Sequence, residues 1–307
     1  LGDVYKRQGK KFEVFCKWFL ENDPEWSKVV EKVWLFADYP DKWQRQDLGT
    51  DLVFRDYEGQ VWAVQAKCYS EHRSTTKADM NSFLADSSRK GVDKRLWLQT
   101  TNKMEQKAEK TLKGQDKPTT VFKLNDFQKA HLEYPDSFAE LYQAKPKPKP
   151  TPDLHQKEAI KAVIKGFQTE ERGQMIMACG TGKTFTTLWI KEALNAQTTL
   201  VLLPSLNLLS QTMREWAWGA KDGFDILNVC SDKSVGRRAE DMGVSEAPFP
   251  VTSEVEEIAA FLKKPTKKVL FCTYQSSPLI TEVQQDASIP SFDLTIADEA
   301  HRCAGKS

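Results

Sequence analysis

Nowhere in the 307 residues is there a run of about eighteen uninterrupted apolar side chains, the length a helix needs to cross a bilayer, so no membrane span and no membrane partner is expected. Net charge is almost absent too. With 44 Lys and Arg against 43 Asp and Glu, any nucleic-acid affinity must come from local clusters and not from a basic surface at large. The 6 cysteines form no C-x-x-C pair, and neither they nor the 4 histidines fall at metal-ligand spacing. That excludes a zinc module and a disulfide framework, and fits reduced thiols in a cytoplasm. No internal repeat is present. What remains is a chain 40% apolar and 28% charged, with a globular composition and a length that favours two domains.

Composition divides the chain. Residues 144–152, AKPKPKPTP, alternate proline with lysine or threonine, which forbids helix and central strand and favours an extended, semi-rigid spacer. Two domains are expected around it, 9–143 and 153–307. Residues 1–8 are set aside, because DVYKRQ can be encoded by the transposon-end adapter of sequencing libraries and reads as non-native translation. The other end, DEAHRCAGKS, stops just past a motif, the pattern expected of a fragment.

The second segment holds QMIMACGTGKTFTTLWIKEAL, read as an apolar strand, a glycine-bearing turn and a helix. Glycines let backbone N–H groups approach phosphates at a helix N-terminus. Gly180, Thr181 and Gly182 form such a phosphate loop, Lys183 reaches the β- and γ-phosphates of ATP, and Thr184 ligates Mg²⁺. Met177 stands where the pattern G-x-x-x-x-G-K-[ST] has its first glycine, and Cys179 reads as a small neutral filler. Further on, FDLTIADEAHRC is an apolar strand, Leu294 to Ala297, that delivers Asp298, Glu299 and His301 at its C-terminal end, where open α/β sheets bind ligands. There Asp298 would hold Mg²⁺ through water, and Glu299 would orient and deprotonate the attacking water.

Asp-Glu-Ala-His after a strand resembles motif II of superfamily 2 helicases and translocases. LHQKEAI resembles the Q-motif, in which Gln156 would read adenine. TLVLLPSLNLLSQTMREW (199–216) resembles motif Ia, and VLFCTYQS (269–276) resembles the strand and loop that touch the DNA backbone. The resemblance covers 153–307 and implies a RecA-like parallel-sheet lobe, with ATP and Mg²⁺ as cofactors. It also implies a second lobe that supplies an arginine, so the present chain is expected to bind ATP but turn it over slowly.

The first segment reads as helix (11–20), strands (33–37, 51–55, 61–68), helix (77–86), strand (95–101), helix (103–113) and strand (119–124). A three-residue loop, Tyr57 to Gly59, with Gly59 in the left-handed conformation would pair Asp56 with Gln60 and therefore Asp51 with Gln65. Opposed residues share a face, so Asp51, Gln65 and Lys67 would converge. A carboxylate and an amide oxygen can hold Mg²⁺, and a nearby ammonium can steady the charge of a phosphodiester under attack. An amphipathic strand with no site is the competing reading.

LGTDLVF followed by AVQAKCY resembles the Mrr-like branch of the PD-(D/E)XK nucleases, in which glutamine replaces the usual acid of E-x-K. The helix KADMNSFLADS and strand RLWLQTT fit its order of elements. The expected fold is therefore α/β, a mixed sheet flanked by helices and then a RecA-like parallel sheet. In such folds the first helix can donate an acid. With Phe12, Phe15, Cys16 and Phe19 as the apolar face, Glu13 on its flank is favoured over Glu21. Lys103, Lys107, Lys110 and Lys113 recur at helical steps and could line a phosphate backbone, although the interleaved Glu105 and Glu109 favour a solvated helix.

A nuclease, a short linker and a motor lobe together resemble the N-terminus of Type ISP restriction-modification enzymes. That resemblance implies double-stranded DNA as partner and, in a full-length protein, a second RecA-like lobe, a methyltransferase and a target-recognition domain. Two alternatives stay open: a repair or phage-defence nuclease-helicase without methyltransferase, and a DNA-binding module with an inactive nuclease fold beside a remodelling ATPase.

Overall fold

Apolar side chains at three- and four-residue steps along helix α1 (Gly2–Asn22) give it one face, Phe12, Phe15, Cys16 and Phe19, that must be covered. A sheet covers it. The computed structural model describes residues 2–42, 49–143, 147–178, 180–231, 247 and 249–300. The chain forms two compact units, built chiefly on Leu1–Lys147 and on the chain from Pro148 onward.

In the first unit, β1 (Val30–Leu35), β2 (Leu52–Asp56), β3 (Val61–Lys67), β4 (Lys94–Gln99) and β5 (Thr119–Phe122) lie in that order across one mixed sheet. β2 runs antiparallel to β1 and β3, whereas β3, β4 and β5 run parallel. Helix α2 (Lys77–Ser87) links β3 to β4, α3 (Gln106–Lys113) links β4 to β5, and α4 (Leu124–Lys129) follows. Strand alternation assigns the two faces. Leu52, Phe54, Val64, Leu96 and Leu98 pack with Phe12, Cys16 and Phe19 of α1, whereas Ala63, Trp97 and Val121 pack with Met80, Phe83, Ala108 and Leu112 of α2 and α3. Trp26 and Trp62 meet edge to face within the first of these cores. Each such side chain contributes about 1.5–3 kcal/mol by leaving water.

The hairpin between β2 and β3 has the register that the turn chemistry predicts. Leu52 pairs with Val64 and Arg55 with Val61, and Asp56 N–H donates to Gln60 O at 3.0 Å. One carboxylate pins the loop: Asp56 Oδ1 accepts from Glu58 N (3.0 Å) and Gln60 N (2.8 Å), and its Oδ2 accepts from Trp62 Nε1 (2.9 Å). Gly59 has φ 80.

The second unit alternates helix and strand: α5 (Leu154–Gly166), α6 (Lys183–Ala193), β6 (Thr198–Leu203), α7 (Leu206–Gly219), β7 (Asp225–Val229), α8 (Val255–Leu262), β8 (Lys268–Thr273), α9 (Ser277–Val283) and β9 (Leu294–Ala297). The strands are parallel and ordered β7-β8-β6-β9. Residues 147–152, the described part of the proline spacer, form neither helix nor strand.

Four expectations need correction. The strand expected before the phosphate loop is not formed: residues 173–178 are irregular, pair with no strand among the described residues, and leave Ile176 92% exposed. An apolar run becomes a strand only where a neighbour satisfies its backbone N–H and C=O groups. The helix expected over 103–113 begins at Gln106, because Thr75 N–H donates to Lys103 O and Glu105 N–H to Thr75 O, both at 3.0 Å, which holds 103–105 extended. Lys103 therefore stands outside the helical stripe of Lys107 and Lys110. The first strand spans Val30–Leu35 and not 33–37, since the chain turns into a short 3-10 helix at Phe36. Helix α1 also starts at Gly2, so the backbone of most of the set-aside segment is helical.

Because nothing crowds a side chain at Gly59, only its left-handed backbone opposes substitution. Gly59→Val is expected to cost about 1–2 kcal/mol in urea melts, while Glu58→Gln stays within about 0.5 kcal/mol. A neutral Gly59→Val would contradict the three-residue loop.

Candidate active sites

Asp51 stands at the mouth of the hairpin, just ahead of β2, where its backbone is tied on both sides. Its N–H donates to Val64 O and its C=O accepts from Phe36 N–H, each at 2.9 Å. The side chain then has little freedom. Its Oδ2 accepts from Ala66 N at 2.8 Å and also from Gln65 Nε2. Gln65 is 1% exposed, and its other amide atom, Oε1, is buried with no hydrogen-bond partner among the described residues. A buried amide oxygen without a partner costs about 1–3 kcal/mol, so this position carries a penalty that the fold alone does not explain.

The alternation that places Ala63 under α2 and α3 directs Gln65 and Lys67 to that face as well. Lys67 is half-buried at the end of β3, and its C=O accepts from Thr100 N at 3.1 Å. The carboxylate and amide expected to meet are in direct contact, and the ammonium rises two residues along the same strand.

Glu13 belongs to the helix on the opposite face. It is buried, and its Oε2 accepts from Lys10 Nζ at 2.8 Å. It still belongs to the same electrostatic neighbourhood. Burial pushes the Cys16 thiol well above its ordinary range, and the charges of Asp51, Glu13 and then Cys68 push it further. Glu21, by contrast, pairs with Lys17 on a more exposed part of the helix.

In the second unit the phosphate loop folds as a left-handed turn, with Gly180 at φ 77 and Gly182 at φ 74 as N-cap of α6. The first N–H groups of α6 have no carbonyl ahead of them in the helix and face the loop with the helix's partial positive charge. Thr181 Oγ1 donates to Ala178 O at 2.8 Å, and the Thr184 carbonyl accepts from Trp216 Nε1 at 2.9 Å. Gln156 is bonded within the chain on both sides of its amide. Its Oε1 accepts from Asp153 N (3.0 Å) and its Nε2 donates to Thr181 O (3.2 Å), so one amide caps α5 and holds the loop. A side chain on Gly182 would collide with that amide.

Asp298 and Glu299 follow β9 as expected. Asp298 N–H donates to Leu202 O at 2.9 Å, continuing the ladder with β6, and Asp298 O accepts from Tyr274 Oη at 2.6 Å. Glu299 then turns left-handed, φ 54, and its Oε1 lies 3.6 Å from Lys183 Nζ. The loop lysine and the acidic motif therefore meet. His301 and Cys179 lie outside the described residues. Tyr274 lies in the VLFCTYQS segment, and the signal for its bond to Asp298 is its place directly after a parallel strand, at the ligand-binding edge of the sheet.

A carboxylate–amide pair on a mixed sheet and a phosphate loop facing an acidic motif on a parallel sheet define a class: a restriction-endonuclease-type domain joined to a helicase-type ATPase lobe. Residues 149–307 match the family described as "Type III restriction enzyme, res subunit", and the chain belongs to that family. Residues 21–144 match the family described as "Restriction endonuclease". Among solved structures, the ATP-dependent Type ISP restriction-modification enzyme LlaBIII bound to DNA is 29% identical, with a TM-score of 0.86 over 98% of this chain and 20% of its own. A nuclease-deletion mutant of the Type ISP enzyme LlaGI, in complex with a DNA substrate mimic, is 36% identical over 50% of this chain and 15% of its own, with a TM-score of 0.41. A probable helicase of African swine fever virus is 29% identical over 154 residues, 50% of this chain and 16% of that protein. The chain thus spans a fifth or less of each relative.

The packing around Asp51 makes a prediction about thiols. Cys68 is exposed and Cys16 is fully buried. A maleimide at pH 8 is expected to modify Cys68 and leave Cys16 intact in the folded chain, as read by peptide mass spectrometry. Comparable modification of both would contradict the burial of the α1 face.

Proposed function

We propose that this chain is the nuclease and first motor lobe of an ATP-dependent restriction enzyme that cleaves double-stranded DNA in the cytoplasm, with residues 9–143 as nuclease, 144–152 as linker and 153–307 as motor lobe. The observation that carries the nuclease half is the contact of Asp51 with an amide whose oxygen is buried without a partner among the described residues. The Gln65 nitrogen rests on Asp51 Oδ2. Turning the amide over would set two oxygens side by side, a donor set that fits a hard cation such as Mg²⁺. Mg²⁺ held by Asp51 and Gln65 would acidify a bound water and offset charge on the phosphate. Lys67 would place its ammonium on the phosphate oxygens under attack, and Glu13 would add a carboxylate from α1.

In the motor lobe, the N–H groups of Gly180 to Thr184 would receive the ATP phosphates. Lys183, held at 3.6 Å by Glu299, would exchange that carboxylate for β- and γ-phosphate oxygens. Glu299 would then be released to orient water and take its proton, while Thr184 and Asp298 hold Mg²⁺. For Gln156 to read adenine it would have to give up its bond to Asp153 or to Thr181. The likeness to a DNA-bound Type ISP enzyme supports duplex DNA as the partner, together with a second lobe, methyltransferase and target-recognition domain in a longer protein.

Because the two sites lie in separate units, they should fail separately. In the full-length enzyme, Asp51→Ala is expected to lower DNA cleavage by roughly 10²–10³-fold, the loss of several kcal/mol of charge stabilisation, and to leave ATP hydrolysis near wild type. Lys183→Ala should abolish ATP hydrolysis and weaken nucleotide binding. Loss of ATP hydrolysis in a folded Asp51→Ala enzyme would defeat the division of labour.

A further inference from the structure

The segment that delivers Asp51 is fixed from behind by helix α2. Asp86 lies on the buried side of that helix with Met80, Phe83 and Leu84, its side chain 2% exposed. A carboxylate in such a place is costly unless fully partnered. Its Oδ1 accepts from Arg89 Nη2 at 2.8 Å, and its Oδ2 accepts from Thr50 Oγ1 at 2.7 Å. Thr50 is fully buried and immediately precedes Asp51.

A second contact fixes the same stretch of chain. Gly49 has φ 145, and a Cβ built on it would come within 2.8 Å of Phe83 N and 2.9 Å of Ser82 C, so the backbone of α2 presses directly on residue 49. The helix therefore holds Gly49 by contact and Thr50 by a charged hydrogen bond. Asp51 follows directly on this fixed stretch. A threonine that only needed a partner for its hydroxyl could use a nearby carbonyl, as Thr187 does with Lys183 O at 3.2 Å. Thr50 instead reaches the buried Asp86 carboxylate, on the helix covering the face that holds Gln65 and Lys67.

We propose that Asp86, acting through Thr50, is a positioning residue for Asp51, holding its carboxylate at the Gln65 amide so that the cation-binding pair is preformed. The inference rests on reading Asp51 and Gln65 as the cation holders. Groups that orient ligands in this way are worth about 10–100-fold in metal affinity. A merely structural Asp86–Thr50 pair would change stability and leave that affinity alone.

The test is Mn²⁺ binding by calorimetry on the 307-residue chain without nucleotide, in an Asp298→Ala background that removes the other candidate cation site. Thr50→Val, which removes the hydroxyl at nearly constant volume, is expected to weaken Mn²⁺ binding about 10–100-fold. Thr50→Ser, which keeps the hydroxyl, should restore it to within about threefold, and the Mn²⁺ concentration for half-maximal nicking of supercoiled DNA should move in step. If Thr50→Val loses its cooperative melt, Asp86→Asn, which keeps the volume and loses the charge, is expected at the low end of the same range. Unchanged Mn²⁺ affinity in folded Thr50→Val or Asp86→Asn, with affinity lost in Asp51→Ala, would overturn the positioning role alone. Unchanged affinity in Asp51→Ala would overturn the nuclease reading on which it rests.

Discussion

The register that sets Asp51 opposite Gln65 is the constraint on which the first unit depends. A strand has a two-residue period, so a slip of one residue would send Asp51 to the face of α1 and leave Gln65 buried with neither of its amide groups partnered. Three features resist that slip. Asp56 gathers two loop N–H groups and the Trp62 indole. Gly59 accepts the left-handed turn. Asp51 itself is stitched to Phe36 and Val64 through its backbone. The penalty at Gln65 Oε1 is tolerated because the aromatic core on the other face, Phe54, Trp26 and Trp62 among others, holds the same two strands in place.

The second unit uses the same economy of placement with different parts. Parallel strands put β6, β8 and β9 side by side with their C-terminal ends together, so Tyr274 after β8 can bond the carbonyl of Asp298 after β9. Glu299 leaves that fixed point in a left-handed turn, a conformation costing about 1–2 kcal/mol for a residue with a side chain, and it ends beside Lys183. Backbone strain of this kind clusters at functional and switching sites. One ion pair thus joins the phosphate loop to the acidic motif.

Local chemistry was the most legible part of the sequence. The loop DYEG set the hairpin, and the hairpin placed Asp51 on Gln65 by counting alone. The glycines and lysine of GTGKT, the strand before DEAH, and Glu13 on the flank of the apolar face of α1 were legible for the same reason: each depends on neighbours within a few residues. Legibility ended where a distant partner decides the outcome. QMIMA has the composition of a strand but pairs with no described strand. The start of α3 is set by Thr75, some thirty positions away in sequence. Gln156 reads as an adenine contact by its position, yet its amide holds Thr181, a partner that no pattern near it reveals. Asp86 is the clearest case, because its meaning lies in Thr50, on another element.

The account stands on a cation binding where Asp51 meets the Gln65 amide. Crystals of the chain soaked in Mn²⁺ and measured at the manganese absorption edge would show it most directly. An anomalous peak within bonding distance of an Asp51 carboxylate oxygen and of Gln65 Oε1, with the amide turned from its present contact, is the predicted result. A map with manganese elsewhere and the Gln65 nitrogen still on Asp51 would contradict it, and would leave the pair as a structural clamp in a fold that has lost its chemistry.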